Sequence, residues 1–312
     1  DLANTIIFKT LPLNHISGFM PLWRSKIWNC EYINISPNLI KNTKDLVKKT
    51  LLIKQKKINR FLITSLVPTQ LYRLLSDKDG IKWLYLFDLI WVGGAKISKT
   101  ILKKCIKEKI NLSPCYGSTE TAAMITSLKP VEFLSGHLND GQILKGVEIR
   151  INNRNLIEIK TDRIGIEINN SEETIDFKNK DGWWQSGDIG IKYKKNNNQY
   201  LIVYGRIDNT INSGGETIFL DLIKERIENF IIKKNLPITH LELQKKYDDI
   251  WGEKYIVFIS FEKNIEKNII IKTIEKLNNF SDTFQKFEKP MEWINNTVNL
   301  NNENQKNWKS II

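Results

Sequence analysis

The spacing of apolar and polar positions divides the chain into three stretches. From Ile6 to Leu13 an apolar, β-prone run leads into Asn14-His15-Ile16-Ser17-Gly18 and a second run rich in Trp and Ile. That order predicts a strand, a glycine turn and a helix. Lys41 to Lys57 reads as one helix with a solvated basic face. Phe61 to Val67 is a short apolar segment closed by Pro68, with a helix expected from Thr69 to Leu75. Leu86 to Val92 reads as a buried strand ending at Gly93-Gly94, and a basic amphipathic helix follows from Ser98 to Glu108. Strand and helix in alternation predict a layered α/β core.

Near residue 140 the pattern shifts to short runs, Val147 to Ile151, Leu156 to Lys160, Ile164 to Ile168 and Ile189 to Tyr193, separated by Asn, Gly and Asp. This predicts a β-rich subdomain of hairpins, with Asn196-Asn197-Asn198 as a hairpin loop. After Asp208 the pattern becomes mixed again: a helix from Leu220 to Ile231, a strand from Tyr255 to Phe261 and a helix near Ile265 to Leu277. The expected organisation is a large domain over 1–207, made of an α/β core (1–139) and a β-rich subdomain (140–207), followed by a small α+β domain over 208–312.

At 312 residues, with 41% hydrophobic and 26% charged positions, the composition is that of an ordinary globular protein. No apolar run approaches the ~20 residues of a membrane span, so stable membrane insertion is not expected. The start lacks both an initiator Met and the features of a signal peptide. Three cysteines and three histidines show neither a disulfide framework nor zinc-ligand spacing. The net charge of +12 comes from lysines spread along the chain, which argues against nucleic acid and would equally suit small polyanionic ligands. Richness in Lys, Asn and Ile reflects AT-rich codons, as in plastids and some bacteria, hence an expected plastid stroma or bacterial cytoplasm.

Candidate chemistry lies in three motifs: Tyr116-Gly117-Ser118-Thr119-Glu120, Trp184-Gln185-Ser186-Gly187-Asp188, and Gly205-Arg206-Ile207-Asp208 running into Gly214-Gly215-Glu216. Tyr116 offers a ring for adenine, Thr119 a hydroxyl for phosphate and Glu120 a hard oxygen for Mg²⁺. Taken alone, that motif also fits a surface turn whose Ser, Thr and Glu cap a following helix. Gly187-Asp188 suggests a carboxylate set by a turn and suited to two ribose hydroxyls, although an Asp bonding its own backbone is common. Arg206 and Asp208, two apart on an extended segment, would share a face. Asn212 to Glu216 would otherwise be a plain glycine turn before a helix.

In order and spacing these motifs resemble the adenylate-forming superfamily of acyl-CoA synthetases, luciferases and peptide-synthetase adenylation domains. Leu11-Pro12-Leu13-Asn14-His15-Ile16-Ser17-Gly18, Trp23-Arg24 and Ser65-Leu66-Val67-Pro68-Thr69-Gln70-Leu71 resemble its 2-succinylbenzoate–CoA ligase branch. The resemblance implies a two-step ATP-dependent acid-thiol ligase of quinone synthesis that uses ATP, Mg²⁺ and coenzyme A, with small molecules as its partners. It implies that Arg24, Ser65 and Gly94 contact the acid, that His15 sits beside the acyl group, and that Gly93, Ala95, Tyr116, Gly117, Asp188 and Arg206 hold the nucleotide. Asp208 would be the hinge of the small domain, and Gly214 and Gly215 would border the pantetheine channel. Lys306, with Lys309 as alternative, would be the adenylation lysine; Gln305 stands where the family has Gly. The family's N-terminal portion, with its Ser/Thr/Gly-rich phosphate loop, has no counterpart here. A non-catalytic nucleotide-binding remnant, or a ligase for another aryl or fatty acid, are the alternatives.

Overall fold

A computed structural model describes residues 2–57, 59–169, 174–261 and 265–295. The chain divides into two compact units, Asp1–Tyr204 and Gly205–Ile312.

The first unit is built on a parallel sheet of five strands, β1 (Thr5–Lys9), β2 (Glu31–Asn34), β3 (Phe61–Leu66), β4 (Leu89–Val92) and β5 (Leu112–Pro114), in the order β2-β1-β3-β4-β5. Parallel neighbours need crossovers, and helices supply them. They are α1 (Ile16–Trp28), α2 (Thr43–Lys56), α3 (Pro68–Leu75), α4 (Lys78–Leu84) and α5 (Lys99–Lys107). The order reverses between β1 and β3, and open α/β sheets place ligands at such a point, outside the carboxyl ends of the strands.

One sheet face buries Ile6, Phe8, Leu62, Leu66, Ile90 and Val92 in a core with Trp83 and Phe87. The Trp83 indole N–H donates to Thr50 Oγ1 at 2.9 Å, tying α4 to α2. The other face carries Lys9, Ser65, Trp91 and Ser113 side by side in register. On α1, Gly18, Pro21 and Ser25 form a buried small-residue stripe, while Phe19, Trp23 and Ile27 form an exposed one. A Cβ on Gly18 would lie 1.9 Å from the Pro12 carbonyl oxygen, so glycine sets how closely the helix start meets the β1 loop.

Three expectations need correction here. Gly18 lies inside α1 and not in a turn before it. The helix expected over Lys41 to Lys57 begins at Thr43, because Asn42 accepts the Asp45 backbone N–H as its cap and a 3-10 turn, Pro37–Lys41, precedes it. Leu86 and Phe87 lie before β4, which starts at Leu89.

After β5 come four short strands, β6 (Gly117–Ser118), β7 (Ala123–Met124), β8 (Thr126–Ser127) and β9 (Gln142–Ile143), with α6 (Pro130–Leu134) among them. Next are β10 (Glu148–Ile151), β11 (Leu156–Lys160), β12 (Glu167–Asn169), β13 (Thr174–Asp176), β14 (Trp184–Lys195) and β15 (Asn198–Arg206). A six-stranded sheet runs β10-β11-β14-β15-β9-β8, so this subdomain draws in one strand, β8, from before residue 140. Asn196 and Asn197, at φ 48° and 63°, turn β14 into β15.

In the second unit β16 (Thr210–Ser213), β17 (Glu216–Phe219), β18 (Ile238–Asp248), β19 (Gly252–Phe261) and β20 (Trp293–Asn295) form one sheet, with helices α7 (Leu220–Lys233) and α8 (Lys267–Ser281). Phe230 and Phe280 stack at 4.1 Å between ring centres, joining α7 to α8. Gly214 and Gly215, at φ 60° and 85°, close the β16–β17 hairpin. The plain turn before a helix is thus a two-residue hairpin turn, with the helix one strand later.

Candidate functional site

A cavity of about 610 Å³ opens at the carboxyl ends of β1, β3, β4 and β5. The loop after β1 and the first turns of α1 bring His15, Met20 and Arg24 to its wall. The end of β3 brings Ser65, β4 brings Trp91, Gly93 and Gly94, and the segment after β5 brings Gly117, Thr119 and Glu120. Ile16, Met20 and Arg24 recur every fourth residue, so one stripe of α1 faces the cavity. Residues 15 and 120, far apart in sequence, therefore share one chamber.

The Arg24 guanidinium is half-buried, with its Cζ 4.8 Å from the centre of the Trp91 ring. Among the described residues it makes no ion pair or hydrogen bond. Burial lowers its pKa from the usual value, and the Cys115 thiol beside it acts the other way. Cys115 donates to the Val92 carbonyl at 3.4 Å, and burial pushes its pKa up to about 12, so the thiol on the cavity wall stays protonated.

Residues 117–124 form a small hairpin, β6 against β7, and not the capped helix start that the motif also fitted. Its tip is held by buried Thr121, whose hydroxyl accepts the Ser118 N–H at 3.0 Å and donates to the Ala123 carbonyl at 2.8 Å. Ala122 and Ala123 sit at φ 52° and 90°, strained values for alanine that the surrounding bonds hold. The Gly165 N–H donates to the Glu120 carbonyl at 2.9 Å, and Arg163 donates to the Met124 carbonyl at 3.1 Å. Thr119 and Glu120 are thereby held at the cavity wall.

Tyr116 packs against the Ile125–Ile157–Ile159 cluster and donates its hydroxyl to Asp188 Oδ2 at 2.5 Å. Burial, then the Asp188 charge, raises the phenol's pKa, so it remains a donor. Asp188 is placed by a bulge in β14, which corrects the expected turn. Between the pairs Glu158↔Gln185 and Leu156↔Ile189, β14 takes four steps while β11 takes two. Gly187 supplies φ 76°, and Ser186 Oγ accepts the Asp188 N–H at 3.1 Å.

Other candidates stand apart from the cavity wall. Ala95 is exposed just beyond Gly94. Arg206 and Asp208 belong to the second unit, where Arg206 Nε meets Asp208 Oδ1 at 3.0 Å. Asp208 lies in a 3-10 turn, Ile207–Asn209, so the two pair across a turn and not along an extended segment. Gly214 and Gly215 also belong to that unit, and Lys306 and Lys309 lie outside the described residues.

Trp91, Cys115, Thr121 and Asp140 were not among the sequence candidates. Asp140 is half-buried by exposure and accepts the Val203 N–H at 2.7 Å; burial pushes its pKa up to about 6, against the pull of Lys96. Alternation in Leu89-Ile90-Trp91-Val92 was the one available signal for Trp91, since it places that side chain opposite the core-facing Ile90 and Val92. Among the described residues no group of three or more His, Cys, Asp or Glu could hold a metal ion, and no helix is long and apolar enough to cross a membrane.

Comparison with known proteins gives the relatives of this arrangement. No family model matches the chain. It is 28% identical over 258 residues to a 2-succinylbenzoate–CoA ligase of Listeria monocytogenes, covering 83% of this chain and 51% of that protein. A 2-succinylbenzoate–CoA ligase of Escherichia coli is 22% identical over 293 residues, covering 94% and 56%. The chain thus spans about half the length of the curated relatives it matches. Among solved structures, o-succinylbenzoate CoA synthetase from Bacillus subtilis in complex with the acyl-adenylate OSB-AMP superposes with TM-score 0.71 at 20% identity, covering 94% of this chain and 57% of that one. An ATP-bound RpMatB-BxBclM chimera reaches 0.73 at 18% identity, covering 95% and 57%. The chain has the fold of the adenylate-forming enzymes. A further structure of the Bacillus protein holds ATP and magnesium ion, at TM-score 0.67.

Proposed function

We propose that the chain is the carboxyl-terminal part of an ATP-dependent acid-thiol ligase that converts 2-succinylbenzoate to its coenzyme A thioester. The observation that carries this reading is the shared cavity: residues picked for an acid (His15, Arg24, Ser65) and residues picked for a phosphate (Thr119, Glu120) line one chamber.

In the first step an oxygen of the acid attacks the α-phosphorus of ATP, the bond to pyrophosphate breaks and an acyl-adenylate forms. Arg24 holds the carboxylate that does not react, as a guanidinium with unspent donors suits a planar anion. Tyr116 and Asp188 hold the adenosine, Asp188 accepting from the ribose, with Arg206 assisting. The donor set suits magnesium, since that ion takes one or two protein carboxylates plus phosphate oxygens and water. Glu120 would hold it, and its charge would offset that of the phosphates. Lys306 would offset the same charge.

In the second step the thiol sulfur attacks the acyl carbonyl and the bond to AMP breaks, with His15 beside the acyl group. The unit beginning at Gly205 swings about Asp208 between the steps, withdrawing Lys306 and bringing the Gly214–Gly215 turn to the pantetheine. The boundary between the two compact units, three residues before Asp208, supports that hinge. The product serves menaquinone or phylloquinone synthesis, in a bacterial cytoplasm or plastid stroma. A pyrophosphate-release assay with succinylbenzoate and a panel of other acids, on this chain and on the longest natural form, tests the reading. Preference for another acid would replace the substrate, and release from none would leave a nucleotide-binding remnant.

A further inference from the structure

Arg24 is drawn out of water without a carboxylate partner among the described residues. Cations in such places are normally paired, because desolvation is costly and an opposite charge offsets it. What faces Arg24 is an indole, at 4.8 Å, within the range at which the negative face of an aromatic ring attracts a cation. The difference matters chemically. A carboxylate would occupy the guanidinium's N–H groups, whereas a π face occupies none and leaves the donor fork for a ligand. Trp91 is also a rigid support, lying on β4 in register between Ser65 of β3 and Ser113 of β5.

We propose that Trp91 is a positioning residue, whose indole face orients Arg24 so that its donors meet the remote carboxylate of an aromatic dicarboxylic acid. Trp91 thereby sets the preference for acids that carry a second anionic group, without touching the reacting atoms. The proposal rests on the acid assignment above.

The test uses the chain itself and titration calorimetry with 2-succinylbenzoate, with 4-oxo-4-phenylbutanoate, which lacks the aryl carboxylate, and with ATP. Variants are Trp91→Leu, Trp91→Phe and Arg24→Ala, each checked for folding by its thermal melt. Wild type should prefer the dicarboxylate, and Arg24→Ala should abolish the preference. Trp91→Leu should reduce it by about 3- to 30-fold, the range set by a partly buried cation–π contact. Affinities for the mono-acid and for ATP should stay within about twofold, and Trp91→Phe should restore most of the preference. If Trp91→Leu kept the wild-type preference, or weakened both acids equally, the positioning role would be wrong while the acid assignment stood. If wild type showed no preference, or Arg24→Ala kept it, the acid assignment would fall and the proposal with it. Should Trp91→Leu not fold, Trp91→Phe against wild type still decides, because the weaker ring face must lower the preference without altering mono-acid affinity.

Discussion

The Tyr116 hydroxyl donates to Asp188 at 2.5 Å, joining the first motif to the second across 72 positions of sequence. One residue lies beyond β5 and the other in the bulge of β14, so two elements of the first unit must be in place before the pair exists. Loss of the pair is expected to act on nucleotide binding. Asp188→Ala should weaken ATP by ~1–3 kcal/mol, the usual result of stranding polar partners, and Tyr116→Phe should cost less because the ring remains. Calorimetry with ATP measures both, and unchanged affinity in a folded Asp188→Ala variant would remove Asp188 from the site.

Asp140 gives a stability prediction with a definite sign. Its pKa is raised to about 6 in the folded chain, above that of an unfolded carboxylate near 4, so the folded state binds more protons between those values. Its contribution to stability is therefore present at low pH and lost as pH rises toward 6. Asp140→Asn keeps an acceptor for the Val203 N–H and removes the buried charge. At pH 7 it should stabilise the chain by roughly 1–3 kcal/mol, and the gain should vanish near pH 4. Denaturant unfolding at both pH values reads this directly, and a gain that did not depend on pH would contradict it.

Gly18→Ala should destabilise strongly, because the added methyl meets the Pro12 carbonyl at 1.9 Å, and backbone gives way at greater cost than a side chain. Overpacking of this kind costs about 1–3 kcal/mol or more. A melting temperature equal to wild type would show that the loop after β1 moves freely, and with it His15.

Sequence and structure agree most where one residue type has one physical use. Of the parallel strands, β1, β3 and β4 showed as apolar runs, the last two closed by Pro68 and by Gly93-Gly94, and α1, α2, α3, α5, α7 and α8 showed by their periodicity, whereas the short elements β2, β5, α4 and α6 gave no such pattern. The bulge at Gly187 could not be seen, because a bulge is defined by the register of the strand beside it. Nor could the hairpin at 117–124, whose strained alanines carry no composition signal. Of the site, His15, Arg24, Ser65, Gly93, Gly94, Gly117, Thr119 and Glu120 were named from motifs and line the cavity. Trp91 was missed because its partner, Arg24, is distant in sequence and the contact has no motif.

Two-step chemistry makes the adenylation lysine and the hinge separable. Replacing Lys306 by Ala should suppress acyl-adenylate formation and leave thioester formation from supplied acyl-adenylate largely intact. Asp208→Pro, with φ fixed near roughly −65°, should do the reverse. Single-turnover kinetics of each half-reaction on the longest natural form tests both. An equal effect of Lys306→Ala on the two halves, or loss of adenylation from Lys309→Ala alone, would move the lysine, and thioester formation untouched by Asp208→Pro would move the hinge.

The proposed function requires one site to hold acid and nucleotide together. Its most direct test is calorimetric binding of a non-hydrolysable succinylbenzoyl-adenylate analogue to this chain, compared with succinylbenzoate and AMP separately. Joining two ligands that occupy adjoining subsites avoids a second loss of translational and rotational freedom, so the analogue should bind at least about 100-fold tighter than either part. An analogue no tighter than AMP alone would contradict it.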